Sequence, residues 1–343
     1  MIAIHPRPGS FSDRWIQYCE EHTVPYKLVN CYDNDIIDQL RECKGLMWHW
    51  AHHDHKAVLF ARQLTYSLEQ AGIKVFPDSR TCWHFDDKVG QKYLLESLAT
   101  PLVKTFVFYE KNTALEWSRS VRYPVVNKLR GGAGSENVKL VNSQSEASRI
   151  IRRAFGKGYK QKRRRYFLRE RLWQFRRDRN FRSFLNLSKG LARLVIPTES
   201  EKQLPREKNY VYFQEFIPGS SFDIRVVVVG KRAFALKRGV REGDFRASGS
   251  GVKEYDPARI PIECVKTAFY LTTKLGGQSL AFDMIMCDNN ASIIEMSYAF
   301  VTTTFPGFWD EKLEWISGEC RVEDFVIKDF LNEIKEKACD AQK

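Results

Sequence analysis

The first 78 residues alternate short apolar runs with amphipathic stretches, and this alternation constrains the fold more than any other feature of the sequence. Strands are predicted at residues 2–4, 26–31 and 45–50 and in a run that ends at Pro77. Helices are predicted between them: one that Ser12 caps, one over residues 35–43 and one over residues 56–70. Such a βαβαβ order predicts a small parallel sheet covered on both faces.

A different pattern follows this unit. A helix capped by Asp86 or Asp87 is predicted to stop before Pro101. Beyond it, strand patterns dominate, at residues 103–109, 125–129, 138–141, 211–216, 222–229, 233–238, 279–286 and 291–296. The second half therefore predicts an antiparallel α+β body, so the chain combines an α/β part with an α+β part.

The positive charge of the chain is concentrated in one segment. The 343 residues have a formal net charge of +13, and residues 149–193 contain 17 Lys or Arg but only Glu170 and Asp178 as acids, a local balance of +15. The rest of the chain holds 38 basic and 40 acidic residues, a balance of −2. A nearly neutral body with one basic insert is therefore predicted, rather than a chain that is basic throughout.

The remaining composition favours a cytoplasmic enzyme. No apolar run approaches the roughly 18 residues that would span a bilayer, and the first residues lack the pattern of a signal peptide. The eight cysteines are scattered and form no CxxC pair, which argues against a disulfide framework or a zinc ribbon. We expect reduced thiols.

Two carboxylates interrupt the apolar strands of a hairpin near the C-terminus. With a turn centred on Asn289, Asp283 lies opposite Glu295, and the close pair predicts a Mg²⁺ site with Ser297 as an additional weak ligand. Two solvent-facing carboxylates are the alternative. A two-residue loop would place the pair on opposite faces.

A second motif is a strand that ends in Lys128 and continues into a glycine-rich turn with Gly131, Gly132, Gly134 and Ser135. Glycines allow backbone N–H groups to approach phosphate oxygens, and the lysine adds a charge. A phosphate-binding loop is predicted, with an ordinary glycine-rich hairpin as the alternative. No GxxxxGK[ST] and no GxGxxG after the first strand occurs, which disfavours conventional P-loop and Rossmann chemistry.

A third set lies in the region between residues 212 and 251. The strand end at residues 214–217, followed by Asp223, predicts a site for a flat base and a ribose, or an ordinary edge strand. Lys237 and Arg238 precede the loop 241–251, whose arginines and glycines are typical of a mobile lid over anionic groups or of a solvated loop.

Taken in order, these motifs resemble the ATP-grasp superfamily, and most of all its RimK-like carboxylate-amine ligases, some of which sit among surface-polysaccharide enzymes. The resemblance covers about residues 80–305 outside the basic insert. It implies an ATP-grasp fold with an N-terminal βαβαβ pre-grasp domain (1–78), a central lobe (79–148), the basic helical insert (149–208) and a C-terminal lobe (209–343).

The resemblance also implies roles for individual residues. ATP would be bound by Lys88, Lys128, Gly131, Gly132, Gln214, Glu215, Phe216, Ile217, Asp223 and Lys237. Arg225, Arg238 and Arg246 would face the reacting carboxylate and the transferred phosphoryl group, and Asp283, Glu295 and Ser297 would hold Mg²⁺. The family usually ends its metal motif Glu-x-Asn, whereas this chain has Glu295-Met-Ser297. This departure weakens or moves one ligand.

The implied activity is an ATP-dependent ligation of a carboxylate to an amine through an acyl phosphate. The substrates would be an acidic carboxylate and an amino acid or amino sugar, in decoration of a cell-surface glycan or related conjugate. A small-molecule or sugar kinase is the alternative within enzymes. A module that binds nucleic acid or an anionic polymer through the insert is the alternative of another class.

Two features stand outside this assignment. The basic insert has a short apolar stripe of Leu168, Leu172 and Phe175, and it fits a solvated helix, a dock for an acidic polymer or for the anionic inner face of the membrane, or a nucleic-acid contact. Four of the seven histidines lie between His49 and His55. They predict substrate recognition at a strand end or plain surface, with a zinc site disfavoured by their spacing.

Overall fold

A computed structural model describes residues 1–132, 137–160, 168, 171–172, 175–176, 179–195, 205–240, 244–247, 251–287, 289–301 and 303–340. The strands are β1 (Ile2–Ile4), β2 (Tyr26–Leu28), β3 (Gly45–Met47), β4 (Lys74–Phe76), β5 (Thr105–Phe108), β6 (Val125–Lys128), β7 (Lys139–Val141), β8 (Val211–Glu215), β9 (Phe222–Val229), β10 (Arg232–Gly239), β11 (Lys253–Glu254), β12 (Ser279–Cys287), β13 (Asn290–Ser297), β14 (Thr304–Trp309) and β15 (Trp315–Arg321). The helices are α1 (Phe11–Glu21), α2 (Ile36–Gln39), α3 (His55–Gln70), α4 (Ser79–Cys82), α5 (Lys88–Ser97), α6 (Lys111–Ser120), α7 (Gln144–Ala154), α8 (Phe181–Val195), α9 (Ile262–Leu275) and α10 (Val322–Asp340).

The chain forms two compact units. The first comprises residues 1–85, 98–101 and 220–343, and the second comprises residues 86–97 and 102–219. The N-terminal segment 1–78 and most of the C-terminal segment 209–343, which the sequence treats as separate domains, therefore share the first unit.

The N-terminal part of the first unit is the predicted parallel sheet. Its strand order is β2-β1-β3-β4, with parallel pairing throughout. The alternation of strand and helix is confirmed, but two details were wrong. Ser10, not Ser12, caps α1, since its side chain accepts a hydrogen bond from the Ser12 N–H. Helix α2 is a single turn, much shorter than the predicted 35–43.

Helix α3 shows how the sequence builds this layer. Asp54 caps it by accepting hydrogen bonds from the N–H groups of Lys56 and Ala57. Its buried residues recur at helical spacing, so one side of the helix packs into the core: Ala57, Ala61, Leu64, Thr65 and Leu68.

The second sheet of the first unit has seven strands. Its order is β13-β12-β9-β10-β14-β15, with β11 paired to β10. Strands β9, β10, β12 and β13 are antiparallel neighbours. They carry these predicted site residues: Asp223, Arg225, Arg238, Asp283 and Glu295. Strands β14 and β15 were not predicted.

The second unit has its own four-stranded antiparallel sheet in the order β5-β8-β6-β7. Val125, Val141, Val211 and Phe213 of this sheet are buried together with residues of α6 and α7. Burial of these apolar side chains fixes β6 and β8, which carry Lys128 and Gln214. Among the helices of the described residues, none is both long and apolar enough to cross a membrane.

Candidate functional site

Asp283 and Glu295 lie directly opposite each other on β12 and β13, as predicted. The predicted turn was wrong, because Cys287 pairs with Asn290 across a two-residue loop. That loop alone would put the two acids on opposite faces, but the register shifts by one residue between Asp283 and Met284. This β-bulge restores the pair, since one additional residue on β13 inverts the alternation beyond it.

Asp283 belongs to a set of four charged side chains, which we name the charged quartet: Asp223, Arg225, Arg238 and Asp283. Asp223 and Arg225 are two residues apart on β9, Arg238 pairs with Asp223, and Asp283 pairs with Arg225. All four therefore lie on one face of the sheet.

Two bidentate ion pairs hold the charged quartet together. Arg225 donates to Asp283 from Nε (2.7 Å) and Nη2 (2.8 Å), and Arg238 donates to Asp223 from the same two atoms at 2.6 Å each. A further contact of 2.8 Å joins Arg238 Nη2 to Asp283 Oδ2. The side chain of Arg238 is only 7% exposed, so these are charge-assisted bonds in a desolvated environment.

The two acids of the charged quartet are shifted in opposite directions. Burial by itself favours the neutral form of Asp283, but the charges of Arg225 and Arg238 and their hydrogen bonds outweigh it and hold the pKa of this carboxyl well below its usual range. Burial raises the pKa of Asp223, against the opposing effect of Arg238. Asp283 is therefore the carboxylate that stays ionised under all ordinary conditions.

The lowered pKa of Asp283 predicts a pH-dependent contribution to stability. The folded state stabilises the ionised form of Asp283. Its contribution to the free energy of unfolding is therefore fully present above the unfolded pKa of about 4, and it is lost as the pH falls below that value toward the folded pKa. We expect Asp283→Asn to lower the urea midpoint at pH 7 and the gap to wild type to narrow toward pH 3. Urea titrations at pH 7, 5, 4 and 3 measure this, with Asp38→Asn as an exposed control. A gap independent of pH would contradict the assignment.

Ser297 lies on the same face but is engaged elsewhere. It pairs with Ala281, two residues before Asp283. Its hydroxyl donates to the Ala299 carbonyl (2.7 Å) and accepts from the Ala299 N–H (3.1 Å). The hydroxyl of the expected weak third ligand is thus held in a local turn, and its role as a ligand stays a prediction.

The oxygen donors of the Asp283 and Glu295 carboxylates are compatible with Mg²⁺. Among the described residues, no group of three or more His, Cys, Asp or Glu side chains could hold a metal ion on its own. Mg²⁺ does not require such a cage, because it is commonly bound by one or two carboxylates together with substrate phosphates and water. Asp283 Oδ1 accepts one hydrogen bond from the charged quartet, from Arg225 Nε, which leaves capacity for a cation beside Glu295.

Lys237 and Arg246 pair with acids outside the charged quartet. Lys237 pairs with Ile224 and so projects from the opposite face to Arg238. Its ammonium lies 3.4 Å from Glu254 and 4.5 Å from the centre of the Phe222 ring. Arg246 forms a bidentate pair with Asp244, at 2.9 and 2.6 Å. The other residues of the predicted lid at 241–243 and 248–250 lie outside the described residues.

The second unit contains the predicted lysine of the phosphate loop. Lys128 Nζ donates to Gln214 Oε1 at 2.6 Å, and Gln214 Nε2 donates to Thr105 Oγ1 at 3.1 Å. Lys128 is 5% exposed and Gln214 is 2% exposed. Strand pairing brings them together, because β6 and β8 are neighbours in the sheet. Thr105 was missed, since nothing in its sequence context distinguishes it from an ordinary strand residue.

The glycine turn is fixed by Lys88 and Asp86. Lys88 Nζ donates to the Gly132 carbonyl (2.8 Å), and the Gly132 N–H donates to Asp86 Oδ1 (2.7 Å). Gly132 has φ +103°, which other residues rarely adopt. The sequence treats Asp86 only as a possible helix cap. Gly134 and Ser135 lie outside the described residues.

The segment predicted to line the adenine site begins inside β8. Gln214 and Glu215 are its last two residues, and Phe216 and Ile217 follow it, both partly buried. Glu215 N–H donates to the Lys104 carbonyl (2.9 Å).

Of the histidine-rich segment, His49 is buried, His52 and His55 are partly buried, and His53 is exposed. The Nδ1 of His49 accepts from the Phe11 N–H (3.2 Å) and lies 3.2 Å from Arg7 Nη2, and its ring stacks on Phe11 at 3.8 Å. Burial, aided by the charge of Arg7, lowers the pKa of His49 to about 3. His49 is thus a neutral structural residue of the parallel layer.

Comparison with known proteins gives one curated relative. No family model matches the chain. The alpha-aminoadipate–LysW ligase LysX of Saccharolobus solfataricus is 23% identical over 222 residues, which cover 64% of this chain and 63% of the relative. The chain thus matches less than two thirds of the length of that relative.

Solved structures establish the fold. A RimK domain ATP-grasp protein of Sphaerobacter thermophilus matches with a TM-score of 0.52 at 16% identity, over 86% of this chain and 89% of that one. The D-alanine–D-alanine ligase of Bacillus anthracis matches with a TM-score of 0.58 at 12% identity, over 98% of both chains. The biotin carboxylase domain of a Hydrogenobacter thermophilus 2-oxoglutarate carboxylase was solved with MgADP. It matches with a TM-score of 0.55 at 12% identity, over 87% of this chain and 64% of that one. The chain has the ATP-grasp fold, and the predicted resemblance to RimK-like proteins is confirmed.

Proposed function

We propose that the protein is an ATP-dependent ligase that joins a carboxylate to an amine through an acyl phosphate. The observation that carries this proposal is the Asp283–Glu295 pair beside Arg225 and Arg238. Two acids suited to Mg²⁺ and two arginines suited to anionic oxygens form the charge pattern that phosphoryl transfer to a carboxylate requires. The names of LysX and of the D-alanine–D-alanine ligase, both ligases, support the same reaction class.

ATP and Mg²⁺ are the cofactors of this proposal. The structure of the Hydrogenobacter thermophilus domain, which was solved in complex with MgADP, supports this choice of cofactors. Lys88 and Lys128 hold the phosphates, with the glycine turn over them, and residues 214–217 line the adenine site. Asp283 and Glu295 hold Mg²⁺, which supplies charge neutralisation on the phosphate oxygens when it is bound.

The protein residues act by position and charge. Arg225 and Arg238 stabilise the negative charge that develops as the substrate carboxylate attacks the γ-phosphorus and ADP leaves. The amine then attacks the acyl carbon, loses a proton, and inorganic phosphate departs. In this structure Asp223 is paired with Arg238. We therefore propose that Asp223 orients this arginine in addition to binding the ribose.

The test is a screen for ADP release that depends on the acceptor. Mixtures of protein, ATP, Mg²⁺ and candidate acids, each with and without an amine, should release ADP with the matching pair, and mass spectrometry should show an amide. If ADP is released but the product is a stable phosphate ester and no amide forms, the proposed ligase activity is contradicted. That result would favour a kinase, the candidate supported by Ser297, which stands where the family usually has an Asn ligand.

We propose an acidic glycan or a related conjugate as the carboxylate substrate, and an amino acid or amino sugar as the amine. The support is the resemblance to surface-polysaccharide ligases and the basic segment 149–193, which favours acidic partners. Uronic-acid oligosaccharides should then support ADP release that neutral oligosaccharides do not. Release with another carboxylate of the screen, but none with uronic-acid oligosaccharides, would contradict this choice of substrate and leave the reaction class intact.

A further inference from the structure

Among the side chains of helix α8 that the structure describes, four large apolar ones are exposed, and together they form a surface that we name the apolar face. Phe181 is 75% exposed, Phe184 51%, Leu185 41% and Leu191 54%. Residues 181, 184 and 191 are separated by about whole turns and so lie along one side of the helix, with Leu185 next to them. Large apolar side chains grouped in this way mark an interaction surface.

A different side of α8 is packed. Leu187 is partly buried and Gly190 is buried. Arg171 Nη1 donates to the Asn186 carbonyl at 3.0 Å. A Cβ added to Gly190 would lie 2.9 Å from Arg171 Cδ and 3.4 Å from Leu168 Cδ1. Leu168 and Arg171 thus hold α8 by this side. On the apolar face, the Phe184 ring lies 6.0 Å from the Phe175 ring, measured between ring centres, and still leaves half of Phe184 exposed.

The segment of the chain that contains the apolar face is strongly basic. Helix α8 contains no acidic residue, and Lys189 on it is exposed. The segment 149–193 has a balance of +15. Further exposed cations of this segment are Arg152, Arg153, Lys157, Lys160, Arg176 and Arg179. An apolar side on a helix that is basic elsewhere is typical of helices that lie in the surface of an anionic bilayer.

We propose that α8 lies in the headgroup region of an anionic phospholipid bilayer, with the apolar face inserted and the basic residues near the lipid phosphates. Polynucleotides and acidic polysaccharides would satisfy the cations, but they offer no acyl region in which four large apolar side chains are buried. A bilayer satisfies both features at once. This inference goes beyond the proposed ligase reaction and does not depend on it.

The test is co-sedimentation of the full chain with vesicles. We expect binding to phosphatidylcholine vesicles that contain phosphatidylglycerol, weakening as the salt concentration rises, and little binding to pure phosphatidylcholine. Leu191→Glu should lower the affinity for the anionic vesicles about tenfold or more, because one leucine is withdrawn from the acyl region. Asn186→Glu is the matched control, since it adds the same charge at an exposed polar position of the same helix and should have a much smaller effect.

The following results would contradict the proposal that α8 lies in an anionic bilayer. Absence of binding to the anionic vesicles, equal binding to both kinds of vesicle, or equal losses in the two variants would each do so. A dimer in sedimentation equilibrium that Leu191→Glu dissociates would show that a second copy covers the apolar face. The vesicle assay needs neither ATP nor an acceptor, so its result is independent of the ligase proposal.

Discussion

Replacing Glu295 with Gln should lower acceptor-dependent ADP release by about 100- to 1,000-fold while the protein stays folded. Gln keeps the size of the side chain and removes the negative charge that, beside Asp283, holds Mg²⁺ in the proposed mechanism. Glu295 is only partly buried and lies outside the charged quartet, so the two bidentate ion pairs remain in the variant. Initial rates over a range of Mg²⁺ concentrations measure the effect, and the variant should need more Mg²⁺ for half-maximal rate.

The control is Glu319→Gln, because Glu319 is an exposed acid on β15 of the same sheet. It should leave both the rate and the Mg²⁺ dependence unchanged. Full activity of Glu295→Gln at limiting Mg²⁺ would contradict the metal assignment. A loss of activity accompanied by a lower melting temperature would instead indicate a structural role.

Asp283 would be a poorer position for the same experiment. From the sequence alone, Asp283→Asn and Glu295→Gln look equivalent, as two acids on one rung of a hairpin. In the structure Asp283 accepts hydrogen bonds from Arg225 and Arg238. Removing its charge leaves both guanidinium groups underpaired in a buried environment, which typically costs about 3–5 kcal/mol. Loss of activity in that variant would therefore not separate metal binding from folding.

The Asp283–Glu295 pair shows what counting along a hairpin can and cannot predict. Counting from a turn centred on Asn289 placed both acids on one face, which is where they lie. The turn was misplaced by half a residue, and a β-bulge compensated for the difference. A bulge has no reliable signature in the sequence, because it depends on how the paired strands twist and pack.

The charged quartet shows a second limit of the sequence. Each member was identified as functional, but with a separate partner: a ribose, a carboxylate or a metal ion. Pairing among them follows from the order β12-β9-β10, which places residues nearly 60 positions apart on adjacent strands. Strand order of this kind is a tertiary property, so local patterns could not give it.

Strands β14 and β15 were missed for a different reason. Strand β14 contains Pro306 and Gly307, and β15 contains Gly318 and is exposed along most of its length. Proline and glycine in a run predict turns, and an exposed edge strand lacks the alternation that marks a half-buried one. The parallel layer was easier to predict because its strands are short apolar runs between clearly amphipathic helices.

Replacing Lys128 with Met should raise the Kd for ATP by about 10- to 100-fold, because one charge-assisted hydrogen bond to phosphate is lost. Met is similar in length and apolar, so it fits a position that is 5% exposed. Gln214 loses the donor that lies 2.6 Å from its Oε1, which costs about 1–3 kcal/mol of stability and leaves the unit folded. Isothermal titration with an ATP analogue that cannot be hydrolysed measures the affinity.

The matched control is Lys139→Met on the neighbouring strand β7, where the lysine side chain is 47% exposed. It removes the same charge from the same sheet, so a general loss of positive potential would weaken ATP binding in both variants by similar amounts. A loss confined to Lys128→Met locates the phosphates at the end of β6. An unchanged Kd for Lys128→Met would contradict the nucleotide assignment of this lysine, and with it the expectation that β6 and the glycine turn bind phosphate.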